Sequence, residues 1–194
     1  LISIDFSKAF DTVRHSSFLQ KCSQLPINDR VHNWLADYLA DRNHCTQFRG
    51  ESSTFLPINS SIVQGSGIGP VSFIITASDL KPMYPGNMIP RYADDSYLIV
   101  PSDGSHTVPE ELNHIAAWAE SNNLKLNPSK TKELLVRRHN SKISGLPPAI
   151  DGVTRVDDMV VLGVILESDM SFRQQTKRVI SQCAQNSYAL RTLR

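Results

Sequence analysis

The stretch from Ile89 to Val100 reads IPRYADDSYLIV. Two apolar runs, Ile89 to Ala93 and Tyr97 to Val100, flank the acidic pair Asp94-Asp95. That is the pattern of a β-hairpin with two carboxylates at its tip. An Asp-Asp pair is equally a turn-favouring dipeptide, and spacing alone does not choose between the two readings. A third acid stands in a similar place: Leu1 to Phe6 (LISIDF) reads as a buried strand with Asp5 near its end. An ionised carboxylate there is costly unless it is paired or binds a cation, and no basic residue adjoins Asp5. If the two segments are neighbouring strands, Asp5 and Asp94 face each other at one edge of a sheet. Hard oxygen ligands of this kind suit Mg²⁺. Two such ions about 3.5–4 Å apart clamp the attacking and leaving oxygens of an in-line phosphoryl transfer.

The surrounding chain supplies helices and further short strands. Arg14 to Gln24 reads as a helix, and Asn28 to Arg42 as a stronger one. Asn28 or Asp29 can cap the latter, and Val31, Trp34, Leu35, Tyr38 and Leu39 recur at helical spacing. Thr46 to Arg49 and Thr54 to Ile58 read as strands around the turn Gly50-Glu51-Ser52. A loop with three glycines, Gly65 to Pro70, leads into a helix over Val71 to Leu80. Pro109 to Asn122 is a helix with Pro109 near its first turn, Glu110 and Glu111 beside it, and Leu112, Ile115, Ala116 and Ala119 on one face. Leu124 to Leu126, Glu133 to Val136 and Met159 to Leu166 read as strands, and Ser171 onward as a helix. Trp34 and Trp118 fall on the apolar sides of their helices, which predicts core packing for both, with base stacking by exposed aromatics as the alternative. Strands and helices alternate without βαβ regularity, so the expected fold class is α+β, with a mostly antiparallel sheet and helices packed on one face.

Composition narrows the function classes. The chain has 194 residues, is 40% hydrophobic and 20% charged, and carries a net charge of +1, which excludes a disordered chain. No apolar run reaches the roughly 18 residues of a membrane span, and no secretory signal is visible. Three cysteines, Cys22, Cys45 and Cys183, are widely spaced; this argues against a disulfide framework and fits an intracellular compartment. The six histidines are scattered and read as surface or helix-face residues. Charge is uneven. Met170 to Arg194 carries Arg173, Lys177, Arg178, Arg191 and Arg194 with no acid, and Lys130 to Lys142 carries five cations against Glu133. Either run could follow phosphates or form a solvated face. The opening at Leu1 and the stop inside a helical pattern predict a piece of a longer reading frame.

Five motifs in order carry a family likeness. Tyr92-Ala93-Asp94-Asp95 resembles the YADD box of reverse transcriptases, and DFSKAFD from Asp5 to Asp11 their first carboxylate motif. SIVQGSGIGP from Ser61 to Pro70 is similar to the QGS…GP segment between them. LKLNPSKTK from Leu124 to Lys132 is similar to the LN…KT motif, and Val161-Leu162-Gly163-Val164 to the LG turn of the primer grip. DFSKAFDTV followed by WLADYLADR resembles non-LTR, LINE-type retrotransposons rather than retroviruses.

The resemblance implies a polymerase palm over residues 1–170 and the start of a helical thumb over 171–194, with the fingers lying outside this sequence. It implies RNA-directed DNA synthesis from dNTPs on an RNA template and a DNA primer, with two Mg²⁺ ions, or Mn²⁺ in their place. Asp5 and Asp94 would be metal ligands, Asp95 would assist them, and the backbone carbonyl of Phe6 would add a contact. Phe10 would be the sugar gate, with a core aromatic as its plain alternative. Gln64 and Gly65 would lie against the nucleotide, Lys130 would protonate pyrophosphate or contact phosphate, and Leu162-Gly163 would hold the primer. Outside the family context, Lys130 reads as a surface lysine and Leu162-Gly163 as a bend between strands. The remaining partners would be the rest of a retroelement polyprotein, including an endonuclease, in nuclear and cytoplasmic ribonucleoprotein particles. The other reading is a truncated, inactive fragment that at most binds nucleic acid.

Overall fold

The computed structural model describes residues 1–62, 65–137 and 146–193. Its elements run β1 (Ile2–Ile4), β2 (Phe6–Ser7), α1 (Ala9–Thr12), α2 (His15–Cys22) and α3 (Asp29–Leu39). Four short strands follow, β3 (Asn43–His44), β4 (Gln47–Phe48), β5 (Glu51–Ser52) and β6 (Leu56–Pro57), and then α4 (Gly69–Thr76). Next come β7 (Arg91–Tyr92), β8 (Asp95–Leu98), a 3₁₀ turn (Ser102–Thr107) and α5 (Val108–Ser121). The chain continues with β9 (Lys125–Leu126), β10 (Lys132–Leu134), β11 (Thr154–Val156), β12 (Asp158–Val161), β13 (Val164–Glu167) and α6 (Arg173–Thr192).

The central sheet has the order β11-β10-β1-β8-β7, antiparallel except for the β10–β11 pair. β1 is its middle strand, with Ile2 opposite Leu98 and Ile4 opposite Ser96. Alternation along a strand sends Ile2, Ile4 and Leu98 to one face. There they join Phe18, Leu35, Phe73, Ile115 and Ala119 from the helices in one buried cluster. Ser3 and Tyr97 oppose each other in the same register and so point to the other face. Tyr97, Leu134 and Met159 are buried outside that cluster, and β12 lies beside β10. The β12–β13 hairpin therefore serves the second face of the sheet. This is the α+β, mostly antiparallel architecture that the sequence predicts.

Several local expectations are corrected. The turn after α3 falls at Arg49-Gly50, both at positive φ (50° and 86°), and Glu51 and Ser52 belong to the returning strand. Two adjacent positive φ values make a tight hairpin turn whose twist matches the strands. Trp34 is not a core residue: it is 56% exposed, while Leu35 is buried and Leu39 half-buried. One residue is 100° of helical rotation, enough to move an apolar side chain off the packed face. The apolar run Met159 to Leu166 is two strands turning at Leu162-Gly163.

Polar anchors fix the helices in ways that composition does not reveal. Glu111 is fully buried on α5. Its carboxylate accepts the Met83 and Tyr84 N–H groups at 3.1 and 2.9 Å and the Asn87 amide at 2.9 Å. The proline-punctuated segment after α4 is thereby tied to α5. Lys21 on α2 donates to the Thr76 carbonyl, to Asp79 Oδ1 at 2.7 Å and to Asn122 Oδ1 at 2.7 Å, and lies over the Trp118 ring. α6 is different. It has no buried side chain among its described residues, and Gln175 Oε1, which accepts the Ile165 N–H at 3.0 Å, links it to β13.

Candidate active site

The acids gather where β1 and the β7–β8 hairpin end together. β1 pairs with β8 as far as Ile4 and Ser96; one residue further, the register sets Asp5 beside Asp95, on the face that also carries Tyr97. The hairpin closes Tyr92 onto Asp95 across Ala93 and Asp94, with Ala93 at φ 54° in the turn. The tip therefore presents Asp94 alone, and Asp95 is the first residue of the returning strand. Asp5 is held from the opposite side as well, because the Asn127 N–H donates to its carbonyl at 2.8 Å. Phe6, next in the chain, pairs with Leu126, and its buried ring packs 6.0 Å from Trp118.

The electrostatics of this edge are those of like charges crowded together. Partial burial, then the neighbouring carboxylates of Asp94 and Asp5, push the Asp95 carboxyl above its ordinary range. Among the described residues no ion pair is formed by any of the three. Their chemistry, oxygen ligands that repel one another and lack a cation, fits a divalent metal. Their side-chain positions do not close into a ligand shell: no group of three or more acid, histidine or cysteine side chains among the described residues stands close enough to hold an ion.

The other expected residues surround this edge to different degrees. Phe10 lies on α1, half-buried, its ring 5.3 Å from the core ring of Phe73. Its carbonyl accepts the Ile62 N–H at 2.7 Å, which joins α1 to the glycine-bearing loop. Gly65 has φ 79°, a conformation that suits glycine, and open space where a side chain would stand. Gln64 lies outside the described residues. Lys130 is exposed, in the turn between β9 and β10 where its N–H donates to the Asn127 carbonyl. Leu162 and Gly163, at φ 47° and 85°, are the two central residues of the β12–β13 turn.

Tyr97 is the participant that motif reading passes over. It is buried, two residues along β8 from Asp95, and therefore on the same side of the sheet. Burial, then the Asp95 charge, push its hydroxyl up, while the Leu162 backbone acts in the other direction. The tyrosine thus stands near both the acidic edge and the Leu162-Gly163 turn. Strand alternation counted from Asp95 is the signal that would have singled it out.

Comparison with known proteins adds the family. Residues 1–186 match the model of the family described as reverse transcriptase (RNA-dependent DNA polymerase). The chain belongs to the reverse transcriptase family. Its relatives include the probable RNA-directed DNA polymerase from transposon BS of Drosophila melanogaster, 27% identical over 99% of this chain and 22% of the relative. The Pol polyprotein from the type-1 retrotransposable element R2 of Popillia japonica is 28% identical over 67% of this chain and 23% of that protein. These are mobile-element proteins, as the LINE-type resemblance implies, and the chain spans about a fifth of their length. In three dimensions, telomerase from Candida tropicalis superimposes with a TM-score of 0.63 at 10% identity, over 88% of this chain and 29% of that one. The likeness shows the polymerase palm fold. Among the described residues, no helix is long and apolar enough to cross a membrane.

Proposed function

We propose that this reverse transcriptase domain carries the catalytic centre of an RNA-directed DNA polymerase, extending a DNA primer on an RNA template from dNTPs. The observation that carries the reading is the meeting of Asp5, Asp94 and Asp95 at one sheet edge, with no cation paired to them among the described residues. Asp5 and Asp94, assisted by Asp95 and the Phe6 carbonyl, would hold two Mg²⁺ or Mn²⁺ ions. Bound there, the ions supply charge neutralisation and acidify a primer 3′-hydroxyl.

The remaining tasks belong to the chain itself. Antiparallel pairing on one side of Asp5 and the Asn127 N–H on the other fix where its carboxylate starts from, and such positioning is the larger part of phosphoryl-transfer catalysis. Phe10, backed by Phe73, would lie under the incoming sugar and leave no room for a 2′-hydroxyl. Gln64 and Gly65 would approach the nucleotide, and Lys130 would meet its departing pyrophosphate. The Leu162-Gly163 turn, near Tyr97 of β8, would hold the primer end. Residues 1–170 would form the palm and 171–194 the beginning of a thumb, with further polyprotein domains as partners in nuclear and cytoplasmic particles.

A second reading, a chain that binds nucleic acid without incorporating nucleotides, is favoured by the acids' not closing into a ligand shell among the described residues. Primer extension separates the two. With an RNA template, a DNA primer and Mg²⁺, the chain is expected to incorporate dNTPs and to refuse rNTPs, and Asp94→Asn is expected to lower incorporation by about a hundredfold or more. Equal incorporation by Asp94→Asn overturns the site; no incorporation by the unaltered chain favours the second reading.

A further inference from the structure

We propose that the outer face of Trp34 on α3 is a stacking platform for an unpaired nucleobase, a nucleic-acid contact additional to the acidic edge and resting on the polymerase reading above. Trp34 and Tyr38 are one helical turn apart, and their rings are stacked with centroids 5.5 Å apart and planes 17° from parallel. The Arg42 guanidinium lies 4.4 Å over the Tyr38 ring and is held by its Nε donating to the Tyr38 carbonyl at 2.7 Å. Arg42 thus packs on Tyr38, and Trp34, stacked on the same ring, is 56% exposed.

An ordered set of aromatic and guanidinium planes with an exposed ring is how single-stranded nucleic acid is taken up without sequence readout. The charge pattern agrees with a base as the recognised part. Arg30, one turn before Trp34 on the same face, and Arg42, after Tyr38, bracket the ring pair. Asp29 and Asp37 are on the same helix, so the surface is not a general polyanion track. A second exposed pair of the same kind, Arg49 over the Phe48 ring at 5.2 Å, stands on the hairpin that follows. The occupant is thus an unpaired base of a template strand, with arginines at either end for its flanking phosphates.

The test uses the intrinsic fluorescence of the chain's two tryptophans, with Trp34→Phe identifying the share that belongs to Trp34. Three probes are titrated: an octamer of riboadenylate, an abasic ribose-phosphate octamer, and a proline octapeptide. The expected result is saturable quenching of the Trp34 share by riboadenylate alone and, read from the anisotropy of end-labelled riboadenylate, about a tenfold weaker affinity for Trp34→Ala, with partial retention in Trp34→Phe. Affinity should fall only gently with salt, because few phosphates are engaged. Equal quenching by the abasic strand, quenching by the proline peptide in place of RNA, or an unchanged affinity of Trp34→Ala overturns the proposal. Asp94→Asn keeps this reading apart from the catalytic one: it is expected to abolish incorporation and leave the quenching intact. Loss of quenching in Asp94→Asn overturns the separate platform, whereas incorporation that survives the change overturns the catalytic site.

Discussion

Asp79 and Asp95 are the same residue type in opposite circumstances. Asp79 lies just beyond α4, where burial is outweighed by hydrogen bonds from Lys21 and Trp118 and by the Lys21 charge, so its carboxyl sits below the ordinary range. Asp95 lies at the sheet edge, where burial and the charges of Asp94 and Asp5 all act in one direction and hold its carboxyl above that range. The first acid belongs to a junction that fastens α2, α4 and α5 together. The second belongs to a cluster that the fold holds together against its own repulsion. A folded chain tolerates such a cluster when something else gains from it, and a bound cation is the physical candidate. Local charge balance thus distinguishes the acids that hold the protein from the acids proposed to do its chemistry.

This contrast can be broken at the junction first. Lys21→Ala removes the donor shared by Thr76, Asp79 and Asn122 and is expected to cost about 2–3 kcal/mol in urea unfolding, because the three acceptors lose a charged partner. A loss under about 0.5 kcal/mol means that the junction is ornamental. Asp79→Asn is the milder cut. Asp79 is more than half exposed, so solvent screening keeps its cost under about 1 kcal/mol. Its folded pKa is depressed, so the stabilisation is present above the ordinary carboxylate pKa of about 4 and disappears as pH falls through the folded value. The difference between Asp79→Asn and the unaltered chain should therefore shrink in acid.

At the sheet edge the sign reverses and the effect is smallest. Asp95→Asn is expected to raise stability by a few tenths of a kcal/mol at neutral pH without divalent ions, since it deletes a like charge at an exposed site. The folded pKa is raised, so the penalty in the unaltered chain is absent below the ordinary carboxylate pKa and complete above the raised one. The gain from Asp95→Asn should vanish in acid, and millimolar Mg²⁺ should erase it at neutral pH. A loss of stability at neutral pH without Mg²⁺ contradicts the crowded-charge picture.

What the sequence made legible follows the range of the interactions. The β7–β8 hairpin and β1 are local patterns of apolar runs, so the acids' place at strand ends could be read directly. That Asp95, not Asp94, takes the register position beside Asp5 could not, because it depends on whether the turn spans Ala93-Asp94 or Asp94-Asp95. Trp34 was misread because helical periodicity finds an apolar stripe but not its edge. The Lys21 junction was invisible, since its partners Thr76, Asp79 and Asn122 lie 55 to 101 residues away. Glu111 looked like an ordinary first-turn acid, and only the return of residues 83–87 over α5 buries it. The five motifs named the family without help from the fold, whereas Tyr97 emerged only when strand alternation placed it beside Asp95.

The most direct test of the acidic edge is paramagnetic broadening of backbone amide signals by Mn²⁺. In the unaltered chain, sub-stoichiometric Mn²⁺ is expected to broaden Ile4, Asp5, Phe6 and Ala93 to Tyr97 first, and Asp94→Asn to remove that selectivity. Broadening centred elsewhere in the chain, or a pattern at this edge that Asp94→Asn leaves unchanged, contradicts the assignment of the catalytic metal site.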